Sequence, residues 1–250
     1  MAFFVGADAY DNFMGRYSSR LAAEFADFAG VNGGNVIDVG AGTGTLTAEL
    51  MRRGANVAAV EPSEPFVEAY ANRHPGVDVR HSPAEQIPYA DGEFDAALAQ
   101  LVVNFMGDAV AGVREMARVT KPGGVVAACV WDLDGGRSPI SPVWKAAQKL
   151  GFGANRGNDH ATGTGPGQLF DVFTQAGLRD VQEEEVSIAI EHASFDEWWE
   201  PFTHGVGPVG AFVQGLGDEQ RNALIDELRN SLGDPPSGIA AVTWAARGRV

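Results

Sequence analysis

Short apolar runs alternate along the chain with stretches whose apolar residues recur every three or four positions. That rhythm predicts a parallel sheet covered by helices. Runs at 35–39, 56–60, 77–81, 94–100 and 124–131 read as buried strands. Between the first two, residues 45–53 carry Leu46, Leu50 and Met51 at helical spacing and stop at Gly54. Ser63 stands where it can cap a helix through Phe66, Val67 and Tyr70, which Pro75-Gly76 ends. Asp108 is placed to cap another, with Val110, Val113 and Met116 inward and Lys121-Pro122-Gly123-Gly124 as its stop. Right-handed crossovers then put helices on both faces of the sheet.

The later part of the chain changes pattern. Residues 181–190 and 239–250 alternate polar and apolar positions, which predicts strands paired antiparallel at a sheet edge. Between them, 218–232 shows Leu224, Ile225, Leu228 and Leu232 on one helical face. Residues 195–215 are rich in aromatics and glycine. Residues 134–167 are rich in Gly, Pro and Asn around one short helical piece near Trp144. Irregular stretches of that length usually carry function. We therefore expect 134–167 and 194–236 to form a lid over the substrate end of the sheet.

Composition narrows the possibilities. The chain has 250 residues, enough for a single large α/β domain. Its net charge of −15 disfavours wide contact with nucleic-acid phosphates or anionic membranes, and no run of Lys and Arg offsets it. No stretch approaches the roughly 20 apolar residues of a membrane span, and the N-terminus lacks the pattern of a signal peptide. A cytoplasmic protein that binds a small molecule is the expectation, with no oligomeric state and no metal site implied. The single cysteine, Cys129, sits in an apolar run and is expected to be buried on a strand.

The first strand runs into Asp38-Val39-Gly40-Ala41-Gly42-Thr43-Gly44 and then directly into a helix. Glycine there permits positive φ and lets a ligand approach the backbone. The crevice at the carboxyl ends of parallel strands is where such sheets bind ligands. Glu61 ends the second strand beside that turn, where its carboxylate can accept both hydroxyls of a ribose. NAD-binding domains share both features. Their G-x-G-x-x-G fingerprint, however, needs a glycine at position 45, which is Thr45.

Four motifs in order carry a resemblance. Residues 36–44 resemble the first motif of class I S-adenosylmethionine (SAM)-dependent methyltransferases, and Glu61-Pro62-Ser63 resembles their acidic ribose motif. Ser82-Pro83-Ala84-Glu85-Gln86-Ile87-Pro88 followed by Asp91-Gly92-Glu93-Phe94-Asp95 is similar to the adenine loop and fourth strand of the ubiquinone/menaquinone-biosynthesis (type 11) group. Lys121-Pro122-Gly123-Gly124 resembles the turn into their fifth strand. Tyr10 to Ser18 resembles an N-terminal helix that closes over the cofactor in one bacterial subgroup, and Trp199-Glu200-Pro201-Phe202 with Gly207-Pro208 resembles a late segment of that subgroup.

The resemblance implies an α/β fold: a Rossmann-like, seven-stranded, mostly parallel sheet with helices on both faces and lid insertions near the C-terminal part. It implies one domain over 1–250, with 1–30 as a helical cap. The implied cofactor is SAM, leaving as S-adenosylhomocysteine. Asp38 and the Gly40 backbone would hold the methionine amine, and Gly42 would let the chain pass close to the cofactor. Glu61 would bind the ribose, and Pro62 would cover one adenine face. The Ala84 amide and the Glu85 segment would meet the adenine edge, and Gln100 would lie beside the methionine part. Arg16 is a candidate partner for the SAM carboxylate, since a guanidinium suits a planar anion. In one departure, Pro83 stands where the group often has an aspartate that accepts from the adenine amino group.

SAM brings an already activated methyl group, so the protein must align the acceptor, exclude water and, for some acceptors, remove a proton. His204, next to Trp198, Trp199 and Phe202, is the candidate base, and His160 is a lesser one. After the fourth strand stands Gln100-Leu101-Val102-Val103-Asn104-Phe105, without the Asp/Asn-Pro-Pro-Tyr/Phe motif of enzymes that methylate nucleic-acid or glutamine nitrogens. O- or C-methylation of a small metabolite is the preferred reading. An NAD(P)-dependent oxidoreductase and a non-catalytic SAM-binding regulator are the alternatives.

Overall fold

In the computed structural model, which describes residues 7–153 and 162–250, the apolar runs become the central strands of one sheet. The chain starts with α1 (Ala7–Tyr10), a π-helical turn (Asp11–Gly15) and α2 (Arg16–Ala29). It continues through β1 (Gly34–Val39), α3 (Thr45–Arg52), β2 (Ala55–Glu61), α4 (Glu64–Arg73), β3 (Asp78–His81), β4 (Phe94–Gln100), α5 (Ala109–Val119) and β5 (Thr120–Trp131). The remainder is α6 (Ser141–Lys149), α7 (Gln168–Gln175), β6 (Arg179–Ser187), α8 (Phe195–Trp199), a 3₁₀ turn (Glu200–His204), α9 (Gly207–Gly215), α10 (Asp218–Leu232) and β7 (Val242–Arg249).

The seven strands lie in the order β3-β2-β1-β4-β5-β7-β6. The first five are parallel, and β7 runs antiparallel to both β5 and β6. Successive side chains on a strand point to opposite faces. Val36 and Leu98 therefore pack with Tyr17, Leu21 and Phe25 of α2 on one face. Ile37 and Ala97 pack with Val113 and Met116 of α5 and Phe173 of α7 on the other. Cys129 is fully buried in the first of these layers, and burial pushes its thiol well above the ordinary range. A third cluster stands apart from the sheet: Trp144, Phe195, Trp198, Phe202, Val209 and Leu224 join α6, α8, α9 and α10.

Two local expectations are corrected. Ser63 does occupy the N-cap of α4, but its side chain makes no capping bond; its backbone N–H donates instead to Glu61. Lys121-Pro122-Gly123-Gly124 does not precede β5 but bulges from its start, since Phe94 pairs with Thr120 while Ala96 pairs with Val125. Asp108 caps α5 as expected, with its Oδ1 accepting from the Ala111 N–H at 2.9 Å. Asp108→Ala is expected to cost about 1 kcal/mol, read as a lower urea midpoint with an unchanged m-value.

Chain order reverses between β1, which leads outward to β2 and β3, and β4, which leads the other way. Such a switch point opens a crevice at the carboxyl ends of the strands. The glycine turn and the ends of β2 and β4 meet there.

Candidate functional site

The turn after β1 is held by its own backbone: the Gly40 and Ala41 N–H groups donate to the Val60 carbonyl at 2.8 and 3.1 Å. Gly40 has φ +70°, and a β-carbon there would lie 2.5 Å from Val102 Cγ1, so packing and backbone both require glycine. Gly42 has φ +56°, yet a β-carbon there would meet nothing within 4 Å. Its bare face lines the crevice.

Glu61 reaches across to this turn from the end of β2. Its Oε2 accepts from the Gly42 N–H at 2.9 Å and its Oε1 from the Ser63 N–H at 2.9 Å. The residue is only 5% exposed. Burial raises its carboxyl above the usual range, and the two backbone bonds offset part of that. Each carboxylate oxygen keeps a free acceptor position, which matches a vicinal diol.

Asp38 is 1% exposed and lies behind the turn. Its Oδ2 accepts from the Thr47 hydroxyl at 2.7 Å, and Thr47 is 2.9 Å from the Tyr70 hydroxyl. Asp38 does not line the crevice; it ties the end of β1 to α3. Burial pushes its carboxyl up to about 7, against the opposing Thr47 bonds. The folded protein thus holds a proton here that the unfolded chain releases near pH 4. Stability contributed by this group falls as pH rises from about 4 to about 7. Asp38→Asn should remove that component, so the melting temperature of the variant relative to the parent should rise across this window. A constant difference between the two would contradict the assignment.

The crevice has a volume of about 310 Å³ and is lined by Gly40, Gly42, Glu61, Pro62, Ala84, Glu85 and Gln100, among others. Seven of the residues expected at the cofactor are thereby brought to one place. Gln100 Nε2 donates to the Ser18 carbonyl at 3.0 Å, leaving its buried Oε1 without a protein partner. Glu85 turns one oxygen toward the Gly107 and Asp108 N–H groups, at 2.7 and 3.1 Å, and so supports the entry to α5. An acceptor pair at Glu61, an orphaned carbonyl at Gln100, the Pro62 ring and the bare Gly42 face suit the diol, ammonium, base and chain of SAM.

Besides Asp38, two expected residues lie elsewhere. Arg16 Nη1 donates to Glu197 Oε1 at 2.9 Å and Nη2 to the Trp198 carbonyl at 3.0 Å, so its charge joins α2 to α8. It lines neither this crevice nor its neighbour. His204 is half-exposed, with Nε2 2.8 Å from Glu200 one helical turn back, and it too lines neither cavity. His160 lies outside the described residues.

A second cavity, of about 320 Å³, adjoins the first and shares Tyr10, Leu101 and Phe105 with it. Its wall is mostly apolar, from Phe13, Val130, Trp131, Trp144, Val206 and Val209. Leu101 stands at the junction in a left-handed conformation, φ 63°, held by its N–H to the Cys129 carbonyl at 2.8 Å. Such strain in a bulky residue clusters at functional positions. Tyr10 packs on Phe66 at 5.2 Å between ring centres, and burial, with Glu61 and Asp11 nearby, pushes its hydroxyl up to about 12. Sequence reasoning missed this cavity, although Tyr10 had been noted in a motif.

Comparison with known proteins agrees with this geometry. Residues 37–128 match a family model described as a methyltransferase domain. A demethylmenaquinone methyltransferase of Corynebacterium kroppenstedtii is 38% identical over 112 residues, covering 45% of this chain and 46% of the relative. The chain spans about half the length of the curated relatives it matches. Among solved structures, a SAM-dependent methyltransferase from Thermotoga maritima shares the fold with a TM-score of 0.53 at 20% identity, covering 97% of this chain and 98% of the other. Geranyl diphosphate C-methyltransferase of Streptomyces coelicolor, solved with S-adenosyl-L-homocysteine, has a TM-score of 0.55 at 17% identity over 94% of this chain and 80% of its own. Among the described residues no helix is long and apolar enough to cross a membrane. Residues 37–128 thus match a methyltransferase domain, and the sheet order with a crevice at its switch point is the fold shared with those solved methyltransferases.

Proposed function

We propose that the chain transfers the SAM methyl group to a small, largely apolar acceptor by O- or C-methylation. The observation that carries this reading is the pair of adjoining cavities meeting at Tyr10, Leu101 and Phe105. One suits a nucleoside with an amino-acid tail, and the other has an apolar wall suited to a ring or hydrocarbon body. SAM, when bound, supplies a methyl group on a sulfonium, ready for in-line displacement.

The chain's own residues do the holding. Glu61 accepts the ribose hydroxyls, Pro62 covers an adenine face, and the Ala84–Glu85 segment borders the adenine edge. Gln100 Oε1 accepts from the methionine ammonium. Asp38 acts through Thr47 by fixing the glycine turn. The described residues 7–30 serve as a cap in which Asp11 accepts from the Thr43 hydroxyl at 2.6 Å and pairs with Arg73. The described parts of the expected lid, 134–153, 162–167 and 194–236, serve on the acceptor side, contributing Trp144, Val206 and Val209 to the cavity wall. The relatives named as demethylmenaquinone methyltransferases support ring-carbon methylation of a quinol-like acceptor.

The test is release of S-adenosylhomocysteine together with a methyl mass increment on the acceptor, over a panel of hydroxylated aromatics and quinols. Turnover on at least one ring compound is expected. SAM binding without turnover across the panel would favour a regulatory SAM-binding protein.

A further inference from the structure

The acceptor cavity carries a charge that its apolar wall does not explain. Lys145 projects from α6 at its rim. The faces of α6 on either side are committed to packing, since Val143, Trp144, Ala146 and Ala147 are buried in the third core. The lysine stem crosses directly over the Gly136 turn. A β-carbon at Gly136 would lie 2.9 Å from Lys145 Cε and 3.3 Å from Nζ. Gly136 itself has φ +63° and also lines the cavity, so the turn both requires glycine and makes room for the lysine.

What sets Lys145 apart is its lack of a partner. The other two lysines hold carboxylates, Lys121 with Asp95 at 2.6 Å and Lys149 with Glu227 at 2.7 Å. Every described arginine donates to at least one carboxylate or carbonyl; even the exposed Arg20, Arg114, Arg179 and Arg249 reach backbone carbonyls. Among the described residues Lys145 is the one cationic side chain with neither an ion pair nor a hydrogen bond. That is a conspicuous place to leave a cation in a chain with net charge −15, where carboxylates are in surplus. Asp134 is the one carboxylate of the cavity wall, and it does not serve. Its Oδ1 accepts from the Thr164 hydroxyl at 3.0 Å and its Oδ2 from Gln168 Nε2 at 2.9 Å.

Two further donors face the same problem. The Trp131 indole N–H, in the cavity wall, is buried without a partner. Asn104 also lines the cavity, and its side chain makes no hydrogen bond among the described residues. A wall with unspent donors and one unpaired ammonium suits a ligand that brings acceptor oxygens and a negative charge. Lys145 is absent from the junction at Tyr10, Leu101 and Phe105. The charged group it would meet is therefore remote from the atom that receives the methyl group.

We propose that the acceptor is an amphipathic organic acid, whose apolar body fills the cavity while its carboxylate pairs with Lys145 at the lid-side rim. Lys145 is then the specificity-determining residue for the acceptor's charge. This rests on the second cavity being the acceptor site. An ion pair at the edge of an apolar cavity is less screened than one on an open surface, so the preference should be measurable.

The probes are 6-hydroxy-2-naphthoate, whose hydroxyl and carboxylate stand at opposite ends of the ring system, and its uncharged primary amide, titrated calorimetrically into the whole chain with and without S-adenosylhomocysteine. The parent protein should bind the acid at least about 10-fold more tightly than the amide, worth about 1.4 kcal/mol. Lys145→Met should abolish that ratio while leaving amide binding within about twofold, and Lys145→Arg should retain it. Equal binding of acid and amide by the parent, or a ratio that survives in Lys145→Met, overturns the proposal. Failure of the methyltransferase reading would show differently, as absent S-adenosylhomocysteine binding, because the acid–amide ratio is read without cofactor as well.

Discussion

Replacing Gly42 by valine is expected to weaken SAM binding by at least about 100-fold, a loss of about 2.7 kcal/mol. The reason is local. A β-carbon at this position meets no protein atom within 4 Å because it would stand in the crevice itself. The branched side chain would occupy the volume through which the methionine part of the cofactor must pass. Valine also disfavours the +56° backbone that Gly42 adopts, and that strain should cost about 1–2 kcal/mol of stability. The two effects separate in measurement: calorimetry reads the first, and urea unfolding without ligand reads the second. Gly42→Ala is the milder control, sharing the backbone strain but adding far less bulk. If the valine variant bound SAM as the parent does, the cofactor would not lie against this turn.

Glu61→Ala should lower SAM affinity by about 1–3 kcal/mol, the range for losing hydrogen bonds to a charged group. It should also destabilise the apoprotein, because the Gly42 and Ser63 N–H groups lose the carboxylate that holds them. Glu61→Gln keeps one acceptor oxygen and should fall between parent and alanine. A pH series adds a sign. Ribose hydroxyls donate to the ionised carboxylate, and burial holds this carboxyl above its ordinary range. Protonation therefore competes with SAM. Affinity should be highest on the alkaline side of the Glu61 titration and fall as pH drops through it, while Glu61→Gln should lose that slope. A parent protein whose affinity is flat across the acid range would place the ribose elsewhere.

How much of this was legible in the residues depends on how local the determining contacts are. Four of the five parallel strands were readable because their central residues are buried on both faces, which leaves short apolar runs such as 96–99, whereas β3 is exposed at the sheet edge. The crevice at the switch point was readable for a related reason. Gly40, Gly42 and Glu61 each stand at the end of a strand, and parallel pairing of β1 with β2 carries them to the same edge. The insertion of β7 between β5 and β6 was not readable beyond an antiparallel edge, since alternation along a strand does not name its neighbours.

Residues 195–215 were the least legible part. Pro201, Gly205 and Gly207 break residues 195–215 into three short helical pieces, and their order comes from packing Trp198 and Phe202 together. His204 attracted notice because aromatic residues precede it in sequence, but it sits on a short 3₁₀ turn and faces Glu200. Arg16 was expected at the SAM carboxylate because a guanidinium suits a planar anion, and in the fold the carboxylate beside it is that of Glu197. The second cavity left no local trace at all. Its wall comes from well-separated segments around Tyr10, Leu101, Trp131, Trp144 and Val206, each of ordinary apolar composition. Only the fold brings them together.

The central claim is that the crevice at the β1–β4 switch point is a SAM site. Calorimetric titration of the chain with SAM, with NADH alongside, tests it most directly. One SAM site per chain is expected, weakened at least about 100-fold in Gly42→Val and less in Glu61→Ala, with no saturable NADH binding. Tight NADH binding in the absence of any SAM binding would contradict it.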